Sequence, residues 1–396
     1  MFNSPPYAAY LHIPFCKRRC YYCDFPIAVL GDNVNSKGAV DSLDRYVEIL
    51  SQEIAINTTD RRSLATVFFG GGTPSLLSVR HLEKILDTLD KHLGIAANAE
   101  ISMEMDPNTF DRAKLEGFYH AGINRVSLGV QAFQDELLAI CGRTHSSQDI
   151  KTAVELVKQV GFTNFSLDLI SGLPQQTLQH WQESLTAAIA LDPNHISCYD
   201  LVLEPVTAFG KQYQPGEKPL PSDETTAQMY KLAQSMLTSA GYQHYEISNY
   251  ARSPWQCRHN RVYWENQPFY GFGMGAASYV DGKRFTRPRT RKDYYQWVED
   301  GAIIELEPLS PEDRLLETLM LGLRLAEGVS VERISQECDP ATVEKIWTCL
   351  QPYHRQGWVE IETTEDGSLE RIKLSDPEGF LFSNTILASL FETIDR

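Results

Sequence analysis

The sequence predicts an α/β fold: a partial (β/α)6 barrel followed by a small C-terminal winged-helix-like α+β domain. Three observations predict it. Short β-rich runs alternate with amphipathic helical runs, the pattern of a parallel sheet covered by helices rather than of an all-β fold or a helical bundle. A weak internal echo sets the register: Ala121-Gly122-Ile123-Asn124-Arg125-Val126-Ser127-Leu128 resembles Val160-Gly161-Phe162-Thr163-Asn164-Phe165-Ser166-Leu167. In each copy a glycine can close a helix in a left-handed conformation just before a strand. Finally, polar residues follow the apolar runs at Gly70–Thr73, Glu104 and Asp106, Gln131, Asp168 and Asp200. Working residues of such barrels collect at the C-terminal strand ends, so these polar ends read as the rim of one site.

The elements follow in order. Strands are expected at Ala8–Ile13, Ala65–Phe69, Glu100–Met105, Arg125–Val130, Asn164–Ile170 and His195–Leu201. A helix over Val79–Leu93 has Ser78 as N-cap and Gly94 as its stop, and Leu178–Leu191 follows Thr177 in the same way. After Asn194 the spacing becomes irregular: a Pro- and Gly-rich loop from Pro205 to Pro221, a helix over Thr225–Ser239, then aromatic and glycine-rich strands through Phe269–Val280. The remainder reads as a separate domain. Helices are expected at Pro311–Ala326, Val331–Glu337 and Ala341–Gln356, with a hairpin of Trp358–Glu362 and Arg371–Leu374 around Asp366-Gly367. The expected division is 1–240 for the barrel core, 241–304 for an aromatic extension and 305–396 for the C-terminal domain.

At 396 residues with a formal net charge of −16, the chain lacks the basic footprint that nucleic acid or an anionic membrane requires. A winged helix in such a chain suggests docking rather than DNA binding. No apolar run approaches the ~18 residues of a transmembrane helix. The start, Met1-Phe2-Asn3-Ser4-Pro5-Pro6, lacks the basic and apolar regions of a signal peptide. Five cysteines, Cys141, Cys198, Cys257, Cys338 and Cys349, are scattered as reduced thiols would be, so a cytoplasmic location is expected.

The other three, Cys16, Cys20 and Cys23, are spaced C-x3-C-x2-C within His12-Ile13-Pro14-Phe15-Cys16-Lys17-Arg18-Arg19-Cys20-Tyr21-Tyr22-Cys23-Asp24-Phe25. Three thiolates satisfy three irons of a cubane 4Fe–4S cluster and leave the fourth open to a small molecule. A structural zinc site would want four ligands in two pairs, and there is no second C-x2-C. Gly70-Gly71-Gly72-Thr73-Pro74-Ser75 follows the second expected strand. It lets backbone approach a ligand, but it has neither the G-K-[ST] ending nor the G-x-G-x-x-G spacing of the nucleotide loops.

With these strings the chain resembles the radical S-adenosylmethionine (SAM) superfamily. The resemblance extends to Glu104-Met105-Asp106-Pro107, Ser127-Leu128-Gly129-Val130-Gln131, Asp168-Leu169-Ile170-Ser171-Gly172-Leu173-Pro174 and Leu321-Gly322-Leu323-Arg324-Leu325-Ala326-Glu327-Gly328-Val329. It is closest to the branch of the oxygen-independent coproporphyrinogen III dehydrogenases (HemN) and the haem chaperones (HemW). The resemblance implies a 4Fe–4S cluster on Cys16, Cys20 and Cys23, fed by a reductant, with SAM on the open iron. It implies SAM contacts from Tyr10, Tyr22, Gly72, Thr73, Glu104, Gln131, Arg143 and Asp168. Read by themselves, Glu104 and Asp168 could equally be helix caps, and Arg143 a partner of a surface acid.

Two departures separate the chain from the dehydrogenases. Their motif continues with a further cysteine where this chain has Phe25, and they carry a long N-terminal extension where this chain's first strand is expected near residue 8. Conversely, His259-Asn260-Arg261-Val262-Tyr263-Trp264 resembles the H-N-x-x-Y-W string linked to haem in the chaperones. There His259 would supply an axial ligand, and Tyr263 and Trp264 flat faces for a porphyrin; the plainer alternative is a hydrogen-bonded core histidine. The resemblance thus implies a chaperone that binds haem and delivers it to acceptor proteins. The second reading is a coproporphyrinogen III oxidase that converts propionates to vinyls in porphyrin biosynthesis, and the third a radical enzyme on another substrate.

Overall fold

The computed structural model describes residues 6–58, 62–305, 307–365 and 367–394. It divides into two compact units, one of Met1–Met229 with Pro268–Glu307, the other of Tyr230–Gln267 with Pro308–Arg396.

In the first unit six strands follow one another: β1 (Ala8–Ile13), β2 (Leu64–Gly71), β3 (Ile95–Met105), β4 (Arg125–Gln131), β5 (Phe165–Ser171) and β6 (His195–Asp200). Each pairs in parallel with the next. Strands of such a sheet are covered on both faces, which is why they read as nearly continuous apolar runs: Leu11, Ile13, Val67, Phe69, Met103, Val126, Leu128, Leu167 and Leu169 are all buried. Between them lie α1 (Lys37–Ile56), α2 (Val79–His92), α3 (Arg112–His120), α4 (Ser147–Val160) and α5 (Leu178–Ala190). Helices α2, α4 and α5 start on capping boxes, in which Ser78, Ser146 and Thr177 exchange hydrogen bonds with His81, Asp149 and His180. The echoed glycines do what their spacing implies. Gly161 ends α4 at φ +103° and Gly122 follows α3 at φ +112°, each shortly before a strand.

A further strand, β7 (Tyr270–Phe272), pairs in parallel with β1 on the side away from β2. Then come a hairpin of β8 (Ala277–Val280) and β9 (Lys283–Thr286), and α6 (Arg291–Glu299). A fully buried ion pair ties this return to the barrel: Arg287 Nε lies 2.6 Å from Glu53 on α1. The same carboxylate accepts the Tyr294 hydroxyl at 2.7 Å and the Gly273 amide at 2.8 Å. The two units cut across the three consecutive segments expected. Residues 268–304 belong with the barrel because β7 occupies the hydrogen-bonding edge of β1, and 230–267 fall with the C-terminal part.

The second unit holds a short antiparallel pair, Gln243–Glu246 with Asn249–Ala251, and the helix Arg258–Trp264. Its larger part consists of α7 (Pro311–Gly322), β10 (Val329–Ser330), α8 (Val331–Ser335), α9 (Pro340–Arg355), β11 (Val359–Thr363), β12 (Leu369–Leu374) and α10 (Ser383–Ile394). Strands β10, β12 and β11 form an antiparallel sheet over a core that includes Leu319, Ile334, Ile346, Leu350, Ile372 and Leu390. This is the expected three helices and hairpin, with α10 and a one-turn helix at Glu378–Leu381 added. Of the expected turn, Asp366 lies outside the described residues.

Candidate functional site

The cysteine loop leaves β1 and is closed at its neck. Phe15 and Cys16 pair in parallel with Ala28 and Val29, so the chain returns to its starting point and presents residues 17–27 as a loop. Inside the loop Cys23 N–H bonds Cys20 C=O at 3.2 Å, and Arg19 reaches back to the carbonyls of Cys23 and Phe25 at 3.0 and 3.3 Å. His12 braces it from below: its Nε2 is 2.9 Å from the Pro26 carbonyl, and its Nδ1 is 3.1 Å from the Tyr10 hydroxyl. A carbonyl only accepts, so Nε2 carries the proton and Nδ1 accepts from Tyr10. Burial lowers the His12 pKa to about 4 and keeps the ring neutral.

The glycine-rich turn after β2 lies against this loop. Gly72 N–H bonds Ile13 C=O at 2.8 Å and Thr73 N–H bonds Phe15 C=O at 2.7 Å. A Cβ on Gly72 would stand 2.9 Å from Cys16 Sγ and 2.7 Å from Phe15 O, so only glycine fits. The Thr73 hydroxyl is 3.6 Å from the same sulfur.

Arg143 crosses from the loop before α4. Its Nη1 is 3.3 Å from Cys20 Sγ, and its Nη2 bonds Gly129 C=O at 2.9 Å and pairs with Asp106. Burial opposes the charge, but Asp106, Tyr22 and Cys20 together hold the guanidinium firmly protonated. Its Nε is buried with no hydrogen-bond partner among the described residues.

Opposite lies a carboxylate pair. Asp168 on β5 accepts hydroxyl bonds from Ser127, Ser166 and Ser197, at 2.8, 3.2 and 2.7 Å. Burial raises its pKa, and the Ser197 and Ser127 hydroxyls counter that rise. Glu104 on β3 accepts the Gly71 amide at 3.1 Å. Burial first, and then the charge of Asp168, push it up to about 8.

One cavity of about 440 Å³ collects these groups. Cys16, Cys20, Cys23, Tyr22, Gly72, Thr73, Glu104, Gln131, Arg143 and Asp168 all line it. Tyr10 does not; its ring stacks on Phe68 and closes over Gly70, one shell below. Gln131 is placed by a bulge in β4 and a left-handed φ of +69°. Phe25, half exposed, and Tyr199 and Val202 add an apolar side to the mouth.

Among the described residues no three His, Cys, Asp or Glu side chains approach closely enough to hold a single metal ion. The donor set suits a cubane, whose thiolates sit on separate irons, better than one ion. The missing Cβ of Gly72, the unpartnered Arg143 Nε and the buried carboxylates fit a polar small molecule beside such a cluster.

Two parts of this site carry little signal as motifs. Asp106 stood out only as a polar strand end, although it fixes Arg143. The three serines had a readable signal: Ser127 pairs with Ser166, Gly129 with Asp168 and Asp168 with Ser197, so strand alternation puts them on one face.

The H-N-x-x-Y-W segment forms the helix Arg258–Trp264, outside this cavity's lining. His259 is fully buried and its Nε2 is 2.8 Å from the Tyr263 hydroxyl one turn on, with the two rings edge to face. In this arrangement His259 is a buried residue hydrogen-bonded to Tyr263. The reason is local: residues four apart share a helix face, and that face is the buried one. Trp264, half-buried at the helix end, borders a separate cleft.

Comparison with known proteins follows the same division. The radical SAM superfamily profile matches residues 10–188 and the HemN C-terminal domain profile residues 309–365. The chain is 50% identical to a Synechocystis protein named heme chaperone HemW, over 99% of this chain and 98% of that protein. It is 38% identical to the Bacillus subtilis protein of that name, over 83% of this chain and 86% of that one. In fold it is similar to the solved coproporphyrinogen III oxidase HemN of Escherichia coli, described as a radical SAM enzyme. The TM-score there is 0.82 over 100% of this chain and 91% of that one, at 23% identity.

Proposed function

The chain belongs to the HemW family of radical SAM proteins, and from that membership we propose that it binds haem and delivers it to acceptor proteins, holding a 4Fe–4S cluster and SAM in its barrel. The observation that carries this reading is the full-length similarity to a haem chaperone, laid over a cavity that gathers three cysteines, one arginine and two carboxylates. Phe25 favours it over the oxidase: an apolar side chain lines the cavity where the dehydrogenase motif would place another thiol.

In this proposal Cys16, Cys20 and Cys23 hold the cluster, and the pocket between Gly72, Arg143 and Asp168 receives SAM. When bound, the cluster supplies an electron and SAM the group that it can cleave. The chain's own part is positional. Arg143, anchored through Nη2 by Asp106 and Gly129, offers its charge and its remaining N–H groups to a carboxylate. Glu104 and Asp168 offer acceptors for amino or hydroxyl groups, and the backbone of Gly72 and Thr73 comes close because no Cβ intervenes. Tyr10 acts from beneath through His12. A cluster of this kind suits a reducing compartment, and no helix of the described residues is long and apolar enough to cross a membrane.

The test is anaerobic. Reconstituted protein loaded with haem is mixed with an apo-globin, and transfer is followed by the acceptor's Soret band. Parallel reactions supply SAM, a reductant and coproporphyrinogen III. Transfer without protoporphyrinogen IX is expected; formation of that product with consumption of SAM would replace this reading by the oxidase.

A further inference from the structure

The second unit contains a cleft of about 210 Å³ beside Trp264, lined also by Arg333 and Arg371. We propose that it binds a carboxylate-bearing edge of a porphyrin, the propionate side of haem, with the two arginines as anion partners and Trp264 as an apolar flank. The inference rests on the haem reading above and adds to it a place and a chemistry independent of His259.

The geometry begins with the helix Arg258–Trp264. Asn266, at φ +48°, closes it: its amide bonds Tyr263 C=O at 2.9 Å, and the Gln267 amide bonds Val262 C=O at 2.9 Å. That stop leaves Trp264 at the edge of the cleft. Arg324 lies over its ring, 5.9 Å from the centroid.

The charges then follow. Arg371 on β12 is held in place by the carbonyls of Glu327 and Gly328, at 3.2 and 3.4 Å, with the Glu362 carboxylate 3.8 Å from its Nε. It therefore adds positive charge to the cleft wall, while Arg333 is the partner left unpaired among the described residues. The acid in the lining, Glu265, is already engaged by Arg261 at 2.8 Å. Arg333 on α8 has no ion pair among the described residues, and its Nε is buried with no hydrogen-bond partner. A guanidinium left without an acid in a chain of net charge −16 marks a place for an external anion. The cleft is below the roughly 300–1,000 Å³ of pockets that engulf a small molecule. It therefore suits an edge and its carboxylate, with the rest of the ring against Trp264 or in solvent.

The test titrates full-length protein with haem and with haem dimethyl ester, in the same detergent, following the Soret band. The ester keeps the iron and ring but loses both negative charges. Wild-type protein should bind haem at least about tenfold more tightly than the ester, as expected for a charged hydrogen bond. Arg333→Gln should remove most of that preference while leaving the Soret maximum of bound haem in place, and Arg333→Lys should restore part of it. Equal affinity of the unaltered protein for haem and ester overturns the cleft and leaves the haem reading standing. So does a preference for haem over the ester that Arg333→Gln leaves unchanged. No Soret change with haem at all overturns the reading on which the cleft depends. The ester comparison needs no variant, so it stands even if Arg333→Gln fails to fold.

Discussion

The guanidinium of Arg143 lies 3.3 Å from the sulfur of Cys20, across 123 residues of sequence, while its other amino nitrogen is paired with Asp106. One side chain thus joins the cysteine loop to the ends of β3 and β4. It can do so because a guanidinium is a planar fork with several donors, where an ammonium is a single point.

Arg143→Lys should consequently weaken SAM binding by roughly ten- to a hundredfold, the range for losing a hydrogen bond between charged groups. Asp106→Asn, which keeps the fork but loosens its anchor, should cost less. Equilibrium dialysis of labelled SAM against reconstituted protein measures both. Unchanged affinity in Arg143→Lys would remove the arginine from the site.

The cluster assignment has a stringent control. Changing any one of Cys16, Cys20 and Cys23 to Ser should abolish the 4Fe–4S absorbance and EPR signal after anaerobic reconstitution. Cys141 is close by, its carbonyl accepting the Tyr21 amide at 3.1 Å, yet it is buried and lies outside the cavity lining. Cys141→Ser should keep the cluster. Equal loss there would show that proximity to the loop, not membership of C-x3-C-x2-C, decides the signal.

What the sequence disclosed here depended on distance along the chain. Six strands, the glycine turn and the cysteine spacing are local patterns, and each was readable. So was the convergence of Glu104, Gln131, Arg143 and Asp168, because a β/α repeat brings strand ends together whatever the helices between them contain. The pairing of β7 with β1 was not readable: it joins Tyr270 to Ala9 across most of the unit, and no local period records that neighbour. The setting of His259 was unreadable for a related reason. A motif string names residues but not the helix face they occupy, and burial placed this ring against Tyr263.

Glu104 supplies a pH signature for the protein without its cofactors. Burial and the charge of Asp168 raise its pKa from 4.5 to about 8. Between those values the folded chain holds a proton that the unfolded chain has released, so this group's contribution to stability falls as pH rises through the window. Glu104→Gln carries no such proton and keeps an oxygen for the Gly71 amide. In urea unfolding from pH 5.5 to 8.5, the variant should gain on wild type as pH rises, by on the order of a few kcal/mol at most. Parallel curves would show that Glu104 is ionised throughout.

The buried pair of Glu53 and Arg287 gives the last prediction, and it concerns what holds β7 and its return to the barrel. Both side chains are excluded from solvent, at 0% and 1% exposure, so each charge depends on the other and on fixed donors. Glu53 takes those donors from Tyr294 and Gly273, and Arg287 also donates to Ser278. Beside them the Tyr46 hydroxyl donates to His12 C=O at 2.6 Å and accepts the Met274 amide at 3.0 Å. The brace therefore continues to the histidine beneath the cysteine loop. Removing one charge leaves the other buried and alone, so Arg287→Met should destabilise the fold by roughly 3–5 kcal/mol. Replacing both, Glu53→Leu with Arg287→Met, removes the stranded charge and should recover part of that loss. The recovery should be incomplete, because the Gly273 amide and Tyr294 hydroxyl lose their acceptor. A double-mutant cycle by denaturant unfolding measures the coupling. Additive losses would mean that the two charges stand independently and that packing alone secures β7 against β1.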